Sequence, residues 1–530
     1  MSDNRFSSNN VESQLYVPDA LRFYASKLSF SKNRVRLQSL SSQTANSNGQ
    51  IIVRLPSNTM LNMASLTMTA SVRASITGAA AGEGIALPTN LDYSFIESVS
   101  LISNGGIISQ PFLNYKLIAN VLNDVYGGDE KISNRNGLQG SLPSPLIDYS
   151  VAVTAGGAAS LYVPFSINSW LSCSQSMQPS YINTNLLGDL ELRITLTDNS
   201  VLQSGSVTDG TSIAGLQSRC NWDMKDINFF IETASVQNTI LEQAVDAKLS
   251  SGDPLIIPFE NVFSFQQNNS GGSFNQRFSV SSQSINKIIA VTQLTTDVVN
   301  DGSRKGWFNG VPQVLRRNSN TATQCQFSIN NQYSPNYLIN SELSSGFDFS
   351  IAPGGTPPQT PAFSAANVKD YRASNGLVET LAALDTPDYD YTDSHHKLTS
   401  TTQMGFEYFG GGVVVNASGT TPPGTATSTA IAGQSQPIAP ILKSLNTYWV
   451  PYVYQSGLDT YLNDKYVVAT SFDLACDQSR LLSGINTLGS NSQMFYNTIG
   501  AGGAASTSTV FVLCTSTIQV RAGAQLTIIQ

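Results

Sequence analysis

The chain has 530 residues, too many for one ordinary hydrophobic core, so two or more domains are expected. Its apolar fraction of 41% excludes a disordered or collagen-like chain, whereas charged residues make up only 12%, about half the ~25% usual for soluble globular proteins. A net charge of −8 and a pI of about 4.9 argue against wrapping nucleic acid as the main task.

Ser, Thr, Asn, Gln and Gly take the place of the missing charge. Such side chains suit the wet row of a β-strand, and a neighbouring molecule can cover them without the desolvation cost of an ion. The first residues, MSDNRFSSNN, are polar and lack the apolar core of a secretory signal. No apolar run reaches the ~20 residues needed to span a bilayer. Synthesis and folding in cytosol or nucleoplasm, without secretion, are therefore expected. The stretch from Arg22 to Arg36, with Lys27, Lys32 and Arg34 between, is basic. It reads as a solvated entry arm, or as an arm that meets a membrane or nucleic acid.

Period-two alternation then dominates. Short runs at Val35–Leu37 and Ile51–Leu55 are followed by Leu66, Met68, Ala70 and Val72, which alternate with Thr67, Thr69 and Ser71. Val99–Leu101 is the next run. Leu161, Val163, Phe165 and Ile167 alternate with Tyr162, Pro164 and Ser166. Leu190, Leu192, Ile194 and Leu196 alternate with Glu191, Arg193, Thr195 and Thr197, and Ile227–Ile231 closes the first half. In the second half Phe278 and Val280 alternate with serines, and Cys325, Phe327 and Ile329 alternate with Gln324, Gln326 and Ser328. Tyr466–Leu474, Val510–Cys514 and Ile518–Ala522 complete the series.

Helices are few. The spacing predicts one over Phe112–Tyr126, opened by Pro111 and closed by Gly127-Gly128, with Leu117, Ile118, Val121, Leu122 and Val125 in one stripe. Others are predicted near Gly376–Leu384 and, between the halves, near Thr239–Lys248. Breaker-rich insertions lie at Gly78–Pro88, Pro353–Ala365 and Gly410–Pro440, and loops this long are functional or mobile decoration. About eight strand-like segments in each half define the expected fold class: all-β, two consecutive eight-stranded jelly-roll β-sandwiches with a few short helices and long loop insertions. The expected divisions are an N-terminal arm (1–30), a first jelly roll (31–236), a linker (237–252) and a second jelly roll (253–530).

Chemistry is sparse. The two histidines, His395 and His396, are adjacent, and no GxSxG, GxxxxGK or HExxH pattern is present. Asp388, Asp390, Asp393 and the two histidines could gather a metal, but such clusters are more often loop surface. The aromatics Tyr448, Trp449, Tyr452 and Tyr454 could stack on a sugar and read equally well as core or subunit contact. Sequons at Asn268 and Asn416 matter little without secretion. The five cysteines (Cys173, Cys220, Cys325, Cys476, Cys514) form no CxxC pair and read as buried free thiols. No catalytic, cofactor-binding or metal-ligating residues are assigned, and no cofactor is expected.

The order of certain segments resembles the double jelly-roll major capsid proteins of double-stranded DNA viruses, including large DNA viruses, Polinton-like viruses and virophages. The segment Phe95-Ile-Glu-Ser-Val-Ser-Leu-Ile-Ser-Asn-Gly-Gly106 looks like that family's strand ending in an asparagine- or glycine-bearing turn, with a helix after it. Leu161-Tyr-Val-Pro-Phe-Ser-Ile-Asn-Ser-Trp170 is similar to its proline-containing strand leading to a Phe-Trp pair, here Ser169-Trp170. Gln178-Pro-Ser-Tyr-Ile-Asn-Thr-Asn-Leu-Leu187 takes the place of its proline-led turn. Ile285–Gln293 looks like the strand that opens its second barrel, and Ser471–Thr487 resembles its late strand with a Ser-Gly-x-Asn turn. Two departures are a Gln-Pro context at Gln178 and the lack of the arginine that commonly follows the Asn turn.

The resemblance implies a structural protein, not an enzyme. It implies a homotrimer that forms pseudo-hexagonal capsomers of an icosahedral virion and contacts neighbouring capsomers, penton and minor capsid proteins. It also implies a possible internal membrane met by the N-terminal arm, and no sequence-specific nucleic acid. Two other classes share the composition: a trimeric phage tail-fibre or adhesin-like binding protein, which should carry fibrous repeats, and a secreted carbohydrate enzyme, which should carry a signal peptide and an acid pair.

Overall fold

In the computed structural model the described residues are 30–126, 151–152, 162–171, 181–206, 212–300, 313–340, 375–384, 465–473 and 484–529, apart from scattered positions within these ranges. The first set of strands is β1 (Phe30–Gln38), β2 (Ala45–Asn46), β3 (Gln50–Arg54), β4 (Met60–Ile76), β5 (Glu83–Ala86), β6 (Ile96–Ser103), β7 (Gly106–Ser109), β8 (Val151–Ala152), β9 (Val163–Ile167), β10 (Tyr181–Asn183), β11 (Leu190–Leu196), β12 (Gln203–Ser206) and β13 (Cys220–Val236). The second set is β14 (Leu255–Asn269), β15 (Asn275–Phe278), β16 (Ile285–Leu294), β17 (Gln324–Ile329), β18 (Gln332–Asn340), β19 (Val468–Ser471), β20 (Met494–Ile499), β21 (Ser506–Arg521) and β22 (Gln525–Ile529). Helices are short: α1 (Leu91–Ser94), α2 (Tyr115–Tyr126), α3 (Thr184–Leu187), α4 (Thr239–Ser250), α5 (Thr295–Val299) and α6 (Asn375–Ala383).

The topology repeats. In the first set one sheet runs β1-β13-β4-β10, with β9 also on β4, and its facing sheet runs β3-β11-β6-β7. In the second set the sheets run β14-β21-β16-β19 and β15-β20-β17-β18. Numbered one to eight along each set, with β9 and β10 as two pieces of the sixth strand, both sets read 1-8-3-6 against 2-7-4-5. That order defines an eight-stranded jelly roll. The fold is thus all-β, two consecutive jelly-roll sandwiches. Small β5, β8 and β12 form a side sheet, so the insertion expected at Gly78–Pro88 carries a strand rather than loop alone.

Alternation sets each register. On β11, Leu190, Leu192, Ile194 and Leu196 are buried while Glu191, Arg193 and Thr195 are half exposed. Leu192 sits between Val53 of β3 and Leu101 of β6, both fully buried. A one-residue slip would turn this row out to water. The same pattern holds for Leu66, Met68, Ala70 and Val72 on β4 and for Phe165 and Ile167 on β9.

Several elements differ from the sequence reading. The helix expected from Phe112 begins at Tyr115, because Asn114 takes a left-handed φ of 63° and its N–H donates to Glu97 Oε1 at 3.1 Å. Pro111 therefore precedes the helix rather than opening it. Ile227–Ile231 is part of the 17-residue β13. Val510–Cys514 and Ile518 onward merge into the single β21, and among the described residues of Tyr466–Leu474 the strand spans Val468–Ser471. Ile285–Gln293 lies in the third strand of the second sandwich, not the first. The strand that opens it is β14, which pairs along its whole length with β21 and lies outside the alternating runs of the sequence.

Two turns named in the sequence have clear physical causes. Asn104 Oδ1 accepts from the Asp189 N–H at 3.0 Å. A Cβ on Gly188 (φ +74°) would lie 2.2 Å from the Asn104 amide nitrogen, so only glycine fits against that turn. Gly484 likewise packs on the backbone of β16, where an added Cβ would lie 2.2 Å from the Ile285 carbonyl oxygen. Asn486 then accepts from the Leu488 N–H at 2.9 Å, and the Thr487 hydroxyl donates to the Val280 carbonyl at 2.8 Å. The Gly-Ile-Asn-Thr turn is stapled to the loop before β16.

Candidate functional site: the sheet faces

The residues considered for chemistry fall in two groups. His395, His396, Asp388, Asp390, Asp393, the aromatics at 448–454, Cys173, Cys476, Asn416 and the insertions at 353–365 and 410–440 lie outside the described residues. Cys220, Cys325 and Cys514 are buried free thiols. Burial pushes them up, Cys220 to about 11 and Cys325 and Cys514 to about 12, so they stay protonated and inert at neutral pH. Among the described residues no three His, Cys, Asp or Glu side chains are grouped to hold a metal, and no helix is long and apolar enough to cross a membrane.

The prominent surface is the outward face of the β1-β13-β4-β10 sheet. Register places Lys32, Arg34 and Arg36 of β1 opposite Ala234, Glu232 and Phe230 of β13, on the same face as Asn228, so part of the basic stretch is built into the sandwich. Arg36 donates through Nε and Nη2 to Asn228 Oδ1 at 2.9 and 2.6 Å. The Arg34 guanidinium lies 5.7 Å from the centre of the Phe230 ring. Glu232 ties three strands together: it accepts from Lys32 of β1 at 2.8 Å, from Asn62 of β4 at 3.3 Å, and from the Tyr181 hydroxyl of β10. Further along, Asp223 accepts from Arg73 at 2.9 Å and from the Tyr162 hydroxyl. Lys225 and Arg73 approach the Tyr162 ring at 3.9 and 4.6 Å. Sequence spacing alone gave no signal for these groupings, since the partners lie up to 200 residues apart.

The hydrogen bond from Lys32, then that from Tyr181, holds the Glu232 carboxyl down at about 2. A depressed carboxylate contributes stability above its unfolded value, 4.5, and loses it as pH falls toward 2. Glu232→Gln should therefore flatten the acid unfolding curve between about pH 4.5 and 2 and leave the curve near pH 7 shallow as before. Circular dichroism against pH checks this; superimposable curves would contradict it.

The matching face of the second sandwich is different. There Val262, Ile289, Val291, Phe511, Leu513 and Ala469 are buried. They lie on the side of the sheet opposite Ile288, Val510 and Val512. The first sandwich covers part of this face: Phe112 meets Phe511 edge-on with ring centres 6.5 Å apart. Helix α6 covers another part, through Thr380, whose hydroxyl donates to the Val467 carbonyl at 3.2 Å and accepts from the Ala469 N–H at 3.1 Å.

These features define a two-sandwich jelly-roll protein with one polar, hydrogen-bonded outer sheet face and one apolar face covered from within. No family model matches the sequence, and no curated protein matches it. Among solved structures the chain is similar to PBCV-1 VP54 fitted into a reconstruction of the virophage Sputnik, with TM-score 0.48 and 10% identity over 94% of this chain and 97% of that one. It is also similar to the Faustovirus major capsid protein (TM-score 0.47, 8% identity, 93% and 91% covered). The mavirus major capsid protein gives TM-score 0.42 and 10% identity over 94% and 90% of the two chains. The fold assignment stands on this chain's own strand order.

Proposed function

We propose that this chain is the major capsid protein of a double-stranded DNA virus, a structural tile that assembles as a homotrimer. The observation that carries the reading is the repeated 1-8-3-6 and 2-7-4-5 strand order in one chain. Two barrels per chain become six around a three-fold axis, an outline suited to hexagonal packing by closed symmetry. The order of motifs in the sequence supports the same reading. So does a surface low in charge, which neighbours can cover at little desolvation cost. In this reading residues 1–30 form an arm, 31–236 and 253–530 the two jelly rolls, and 237–252 the linker.

Its partners are further copies of itself, neighbouring capsomers, and penton and minor capsid proteins, with the arm reaching toward an internal membrane where one is present. It resides in the virion, has no catalytic role and reads no nucleic-acid sequence. Light scattering after size exclusion tests the assembly. A compact species near three times 56.7 kDa is expected, and a clean monomer would overturn the proposal.

A further inference from the structure

We infer that the two sandwiches are locked into one rigid, cooperatively unfolding body by two clasps, one extended from each sandwich, and not by the helix that joins them. Among its described side chains the joining helix α4 buries little: Gln243, Asp246, Ala247, Lys248 and Ser250 are exposed, and Val245 and Leu249 only half buried. A tether of this kind limits separation but does not fix an angle.

The first clasp is the segment before α2. Phe112 is 3% exposed and its ring meets the edge of Phe511, while the next residue's N–H donates to Ser264 Oγ on β14 at 3.1 Å. The segment is itself held rigidly. Phe112 stacks on Tyr115 at 5.6 Å, the Tyr115 hydroxyl accepts from the Leu171 N–H at 2.9 Å, and Glu97 takes both the Asn114 N–H and, at 2.8 Å, Lys116 Nζ. Its aromatic tip therefore cannot swing away without breaking contacts inside the first sandwich.

The second clasp runs the other way. Asn300 ends α5 in a left-handed conformation (φ 50°) and is buried. Its side-chain amide donates to the carbonyls of Ser200 and, at 2.8 Å, Leu202 in the first sandwich. The same Leu202 carbonyl accepts from Gln217 at 3.3 Å, so the receiving loop is ordered. Between the clasps, α2 and the turn at 199–201 pack on the turn Gln313–Leu315. Gln293 pins that turn to β16 by donating to the Val314 and Arg316 carbonyls at 2.8 and 2.9 Å. One continuous apolar cluster runs through Phe112, Leu315 and Phe511. The angle between the sandwiches is thus set within the chain before any partner arrives.

The test uses the full chain with a site-specific protease sequence inserted after Gly252, cut once the protein has folded. The halves should elute as one species in native buffer, and the uncut chain should unfold in a single calorimetric transition. Asn300→Gly keeps the left-handed backbone and Ser264→Ala keeps β14, so both variants should fold. Together, in the cut protein, they should speed separation of the halves in dilute urea at least about tenfold, as expected for loss of the Asn300 amide, whose bond to the Leu202 carbonyl is buried, and of the Ser264 acceptor. Separation of the cut parent in native buffer, two transitions in the uncut parent, or an unchanged rate in the double variant would each overturn the inference.

Discussion

Leu192→Asp should abolish soluble protein. Leu192 is fully buried at the centre of the β3-β11-β6 row, flanked by Val53 and Leu101, and no cation lies among these neighbours to pair with a carboxylate. Removing the side chain forfeits about 1.5–3 kcal/mol of apolar burial, and leaving an unpaired charge there costs several kcal/mol more. The sum is comparable to the ~5–15 kcal/mol that holds a typical domain folded. Leu192→Met, which keeps the volume, should cost less than about 1.5 kcal/mol and fold normally. Soluble yield and urea midpoints of the two variants measure the contrast; a soluble Asp variant with the parent's midpoint would mean that the buried face of β11 is wrongly assigned.

Trp170→Ala should fold but lose about 3–5 kcal/mol. Trp170 is the largest fully buried side chain among the described residues. Its ring lies against Phe229 with centres 6.4 Å apart, and its indole N–H donates to the Leu66 carbonyl at 3.1 Å. Truncation opens a large cavity against the inner face of β4 and β13 and removes that donor from a buried carbonyl. Denaturant unfolding should show the loss at an unchanged slope, and a midpoint equal to the parent's would show that the loop after β9 packs elsewhere.

Strands with one wet face were legible in the sequence. On β4, β9, β11 and β17, water on one side keeps every second residue polar, so the period shows through. Where both faces are buried the period disappears. On β21 the inward row holds Ser508, Val510, Val512, Cys514 and Ser516, and the opposite row holds Phe511 and Leu513, nearly all shielded. Serine and threonine inside the core then read as breaks, and one long strand looked like two. β14 was hidden for a related reason: Val262 is buried on its outward side, and Pro258 reads as a breaker. At the end of its sheet, with β21 as its partner, β14 tolerates that proline.

The start of α2 was misplaced because its cap is not local. Glu97, 17 residues earlier, takes the Asn114 N–H, a contact made only once β6 and the helix are packed together. The polar face of the first sandwich was legible only as a composition. That Lys32, Glu232, Tyr181 and Asn62 meet there follows from the β1-β13-β4-β10 order, which no spacing in the chain reveals. The two-barrel repeat was visible as a count of strands, and the strand order turns that count into a fold.

Particle images of the purified protein by electron microscopy test the assembly most directly. A three-fold particle with a near-hexagonal outline and six barrel densities is expected. Isolated two-barrel particles, or elongated fibres, would contradict the capsid reading.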